Sequence, residues 1–219
     1  MILLVETPGT ETAAWKPLIV ALQAVGEQVQ VVAFPCSGNA ASFSAAIERA
    51  EPDGAYILVA HGIGATLALN AEIQPVELVL LGPVLGYEPS ATLQAFASAE
   101  IPVRVDLDPS PTVARALGIA GIPLGCVASG LAADIQGWMR SGRVPLQRPT
   151  MPVTVFAAPL DEIAPVELLI PAARALATHG NVRVVRLGLG DFASADVDHA
   201  GLLTDRDALR RIVGHAAAR

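Results

Sequence analysis

Few side chains in this 219-residue chain are suited to chemistry: four histidines, two cysteines and a sparse set of carboxylates. Cys36 and Cys126 lie far apart, form no CxxC pair and have no zinc spacing, so neither a metal site nor a disulfide framework is expected. Cys36 and Ser37 carry nucleophilic atoms, although a lone cysteine more often serves as a small buried apolar residue. His61-Gly62-Ile63-Gly64 forms a glycine-flanked corner directly behind the apolar run Tyr56–Ala60. A G-x-G corner after a strand can cradle a phosphate, but these glycines do not complete G-x-G-x-x-G in the first strand–helix unit. His179, at a helix end, and His215, in the last helix, read as solvated.

The elements that must position these groups follow from periodicity. Ile2–Val5 is a short continuous apolar run, as in a strand buried on both faces. A helical pattern over about Thr12–Val25 leads to a β-branched strand at Val29–Phe34, and Ser42–Ala50 is again helical. The strand Tyr56–Ala60, the corner, a helix to about Asn70 and the strand Val76–Leu81 come next. From about Gly86 to Thr150 the rhythm breaks, with an alternating piece at Ile101–Leu107, several prolines and a helix around Ala132–Met139. It resumes with the strand Val153–Ala157, the helix Val166–Thr178, the strand Val182–Leu187 and a helix at about Asp205–Ala218. Such alternation predicts a parallel sheet with helices on both faces and right-handed crossovers. The interruption predicts a lid.

Several stretches together resemble the α/β-hydrolase superfamily over essentially the whole chain. Val59-Ala60-His61-Gly62-Ile63-Gly64-Ala65-Thr66-Leu67-Ala68-Leu69 is similar to its nucleophile elbow, G-H-S-x-G-G before an Ala/Leu-rich helix. Val5-Glu6-Thr7-Pro8-Gly9, with Trp15 beyond, resembles the oxyanion loop, and Phe34-Pro35-Cys36-Ser37-Gly38 the P-G-x-G turn. Val153–Asp161 resembles the strand that delivers the acid, and Asp198-His199-Ala200-Gly201-Leu202 the loop that delivers the histidine.

The resemblance implies an α/β-hydrolase fold: one domain over 1–219, a mainly parallel sheet of about six strands and a lid insertion at 86–150. With no residues before Met1, that sheet would open at the family's third strand. It also implies roles. His199 would be the base and Asp161 its orienting acid, with Asp196 and Asp198 as nearby substitutes. The amides of Thr7 and Ile63 would form the oxyanion hole, and Glu6, Cys36, Ser37, His61 and Trp138 would lie about the pocket, His61 in a structural role. The nucleophile position falls on Gly62, which has no side-chain atom to carry an acyl group, so covalent serine-type chemistry is excluded there. Glycine also adopts cheaply the positive φ that a sharp elbow imposes.

Composition narrows the rest. Hydrophobic residues make up 53% and charged residues 16%, which excludes a disordered chain. A net charge of -7 without a Lys/Arg cluster disfavours nucleic acid and anionic membranes as partners. The apolar runs fall short of the roughly 20 residues of a membrane helix, and Met1–Val5 has no basic leader, so a cytoplasmic location is expected. No cofactor is implied.

The favoured reading is a non-hydrolytic enzyme whose His199–Asp161 pair moves protons on an apolar, carbonyl-bearing small molecule. Cyclisation, epimerisation and C–C lyase chemistry all suit it, and the superfamily has such members in natural-product pathways. One alternative is an inactive pseudo-hydrolase that binds a small molecule or a protein. Another is a hydrolase that activates water directly, or a natural hydrolase whose nucleophile has been exchanged for glycine.

Overall fold

The computed structural model describes residues 1–5, 12–33, 40–50, 54–86, 137, 148–178, 180–188 and 196–218. Six strands, β1 (Ile2–Val5), β2 (Val29–Val32), β3 (Ile57–His61), β4 (Glu77–Leu81), β5 (Val153–Ala157) and β6 (Val182–Arg186), form one sheet in the order β2-β1-β3-β4-β5-β6. Every neighbouring pair is parallel. Every residue of β1, β3, β4 and β5 is buried, whereas β2 and β6 at the rims alternate toward solvent. The contrast has a direct cause. A strand covered on both faces is mostly apolar, as Ile57-Leu58-Val59-Ala60 is, while Arg183 and Arg186 on β6 blunt an exposed edge.

The helices are α1 (Lys16–Ala24), α2 (Ala40–Ala50), α3 (Gly62–Asn70), α4 (Val166–Ala177), α5 (Gly201–Thr204) and α6 (Arg206–Ala216). The chain runs from β1 outward to β2, then back past β1 to β3 and on to β6. With right-handed crossovers, that reversal puts α1 on one face and α2, α3 and α4 on the other. The packing agrees: α1 lies against α5 and α6, α2 against α3, and α4 against β5 and β6. The reversal falls between β1 and β3, the place at whose C-terminal end open parallel sheets bind ligands.

The expected elements appear with small shifts. The first helix opens as a tight 3-10 turn at Thr12–Trp15, and α1 begins beside Pro17, whose missing N–H costs nothing in a first helical turn. The last helix starts one residue later than expected, because Asp205 is its cap and accepts from the amides of Asp207 and Ala208. The short helix α5 had no sequence signal. The alternating piece at Ile101–Leu107 and the helix around Ala132–Met139, apart from Gly137, lie outside the described residues, as does nearly all of the expected lid. Among the described residues no helix is long and apolar enough to cross a membrane.

Candidate active site

At the centre of the sheet's C-terminal edge, β3 turns directly into α3. His61, the last strand residue, keeps extended angles (φ −123°, ψ 145°), and Gly62 takes φ +57° as the first helical residue. A strand-to-helix reversal without a connecting loop requires that left-handed step, and glycine supplies it without a Cβ clash. Ile63 follows, buried, with its amide in the first turn of α3. A buried hydroxyl braces the corner. Thr66 Oγ1 donates to the Val84 carbonyl at 3.0 Å and accepts from the Val84 amide at 2.9 Å, tying α3 to the turn after β4.

The loop after β5 carries Asp161, and the loop before α5 carries His199. The amide of Leu160 donates to the carbonyl of Val197 at 3.0 Å, so the two loops are stitched together beside the pair. His199 Nδ1 lies 2.7 Å from Asp161 Oδ2. Because the carboxylate oxygen accepts, Nδ1 is the protonated nitrogen and Nε2 is the basic one. The other oxygen, Oδ1, accepts from the amides of Ile163 and Ala164 at 2.9 and 2.7 Å, which locks the carboxylate plane. Both side chains are buried, at 3% and 4% residue exposure. Asp198, the rival acid, is exposed and caps α5 instead through the Gly201 amide at 2.7 Å. Asp196 is exposed as well.

His61 joins the corner to the pair. Its ring centroid lies 4.2 Å from that of His199, tilted by 41°, and its Nε2 donates to the His199 carbonyl at 2.8 Å. The Trp15 ring stands perpendicular to that of His61, with the two centroids 6.2 Å apart. Burial first, then the neighbouring His199, hold the His61 ring well below the usual histidine pKa, against an opposing contribution from the hydrogen bond to the carbonyl.

Sequence reasoning missed Gly82. It follows β4 at φ +55°, with its amide donating to the Phe156 carbonyl at 2.9 Å. A Cβ there would stand 2.7 Å from Asp161 Oδ2 and 3.1 Å from His199 Nδ1. The pair therefore sits in the space that a side chain at position 82 would occupy.

His215 corrects an expectation. It is not a solvated helix residue: its Nε2 lies 2.9 Å from Glu77 Oε1, which also accepts from Thr154 Oγ1 at 2.7 Å. Glu77 and Thr154 are buried and His215 half-buried among α6, β4 and β5 at the opposite edge of the sheet, so the cluster belongs to the scaffold and not to the site. Among the described residues no group of ligating side chains gathers to hold a metal ion. Glu6, Thr7, Cys36, Ser37 and Trp138 lie outside the described residues, as does His179.

No family model matches the chain, and no curated protein matches it in sequence. Solved structures do. A monoacylglycerol lipase from Paleococcus ferrophilus superposes with a TM-score of 0.64 at 16% identity, covering 99% of this chain and 93% of that one. RedJ, a thioesterase from the prodiginine pathway of Streptomyces coelicolor, gives 0.61 at 18% identity over 99% and 84%. This chain has the α/β-hydrolase fold. A pyrethroid hydrolase from Sphingobium faniae JZ-2 is similar too, at 0.57 and 16% identity over 99% and 96%. Within this α/β-hydrolase fold, the β3–α3 corner and the loops bearing Asp161 and His199 share the C-terminal edge of the sheet.

Proposed function

We propose that this protein is an enzyme that moves a proton through His199 on a carbonyl-bearing small molecule, without a covalent intermediate at residue 62. One observation carries the reading: the buried His199–Asp161 hydrogen bond of 2.7 Å is built against a corner whose central residue is glycine. Asp161 fixes the tautomer, and Nε2 is left as the base. A substrate with an acidic C–H beside a carbonyl would give its proton to Nε2, the C–H electron pair moving onto the carbonyl oxygen as an enolate. The amides of Ile63 and Thr7 would face that oxygen, the first from the opening turn of a helix. Return of the proton to the other face gives an epimer. The same enolate serves ring closure or C–C cleavage in a substrate carrying the matching electrophile or leaving group.

The similar solved structures are named as hydrolases, which favours a second reading in which His199 Nε2 deprotonates water for attack on an ester or thioester. The two separate in one experiment. Small carbonyl compounds that native mass spectrometry finds bound are incubated in deuterium oxide. Proton transfer to carbon predicts deuterium uptake that His199→Ala abolishes (at least about a hundredfold) while binding persists. Cleavage without deuterium at carbon supports the water-activating reading. Binding with neither overturns both and leaves a binding module. Gly62→Ser supplies a control, since new esterase activity there would mean that the remaining apparatus is aligned for the nucleophile it lacks.

A further inference from the structure

We propose that His61 is a positioning residue for His199, its ring face and its Nε2–H together fixing the plane and the main chain of the histidine that moves the proton. The inference rests on the proton-transfer reading above and adds to it the group that holds the base in place. His199 sits in a loop, with no strand or long helix to locate it, so its side-chain contacts must do so. Asp161 grips one end of the ring through Nδ1, a single contact that reaches neither the ring face nor the main chain. His61 touches both. Its ring lies against the His199 ring at 4.2 Å, and its 2.8 Å hydrogen bond pins the His199 carbonyl. His61 is itself well anchored, being the last residue of a central strand buried along its whole length and flanked by the perpendicular Trp15 ring.

The chemistry of the contact also suits a base. A carbonyl only accepts, so Nε2 of His61 carries the proton and the neutral ring has a defined tautomer. Burial and the adjacent imidazole keep it uncharged. A neutral ring can lie against His199 both before and after His199 is protonated, whereas a cation there would oppose protonation. Phenylalanine would keep the ring without the donor. Glutamine would keep a neutral donor without the ring.

The test uses the full chain labelled with 15N-histidine. The Nδ1–H proton shared between His199 and Asp161 is expected as a far-downfield resonance in the wild type. His61→Phe should broaden or erase it and lower kcat for deuterium exchange about ten- to a hundredfold, with KM within about twofold. His61→Gln should recover part of both. A wild-type resonance and kcat in His61→Phe would overturn the proposal, and if that variant does not fold, wild-type values in His61→Gln would do so. The resonance needs no substrate. Its loss in the variant of a protein that exchanges no ligand proton would therefore sink the proton-transfer reading and leave the positioning role standing.

Discussion

Three hydrogen bonds converge on the Asp161 carboxylate, two from backbone amides and one from His199, and the space of the last exists because residue 82 has no side chain. Gly82→Ala should therefore act twice. Its Cβ would press on Asp161 Oδ2, and its φ of +55° is strained for any L residue. We expect a loss of about 1–3 kcal/mol in urea denaturation, with the His199 Nδ1–H resonance weakened. An unchanged midpoint would mean that the pair does not depend on the vacancy. Position 62 makes the complementary point. Its positive φ was foreseeable from the sequence, since a strand running straight into a helix needs it. Gly82 was not, because its constraint comes from Asp161 and His199, both remote in sequence.

At the scale of elements, order and type were legible because central strands buried on both faces read as unbroken apolar runs. The amphipathic helices carried their period just as openly. Tertiary ties were not legible. Thr66 looks like any small residue in an Ala/Leu-rich helix, yet its hydroxyl makes two bonds to Val84, 18 positions away. Thr66→Val keeps the shape and leaves both Val84 groups unpaired, so a loss of about 1–3 kcal/mol is expected, together with faster amide exchange at Val84. Recovery of the wild-type denaturation midpoint by this variant would show that the tie is dispensable. His215 was misread for a related reason. It follows Ile212 by three positions, on the flank of the buried stripe of α6, but its partner Glu77 lies 138 residues away. The helical period carried the signal that it faces inward.

For the molecule as a whole, the buried neutral His61 couples folding to pH. In an unfolded chain a histidine binds its proton near pH 6.5, whereas folded His61 resists protonation until well below that value. Below about pH 6.5 the unfolded chain thus holds the extra proton, and stability is lost as the pH falls toward the folded pKa. The slope from this one site is at most about 1.4 kcal/mol per pH unit. Denaturation midpoints measured from about pH 7.5 to 5 should fall less steeply in His61→Gln than in the wild type, while parallel curves would mean that His61 is not held neutral.

The stretch from His199 to Ala216 is pinned at both ends, to Asp161 at one rim of the sheet and through His215 to Glu77 at the other. Between the pins run two helices, α5 and α6, broken at Asp205, where the backbone is extended. The segment is therefore moored twice, and releasing His215 from Glu77 would slacken the far end of α6 while the bond to Asp161 still holds the imidazole.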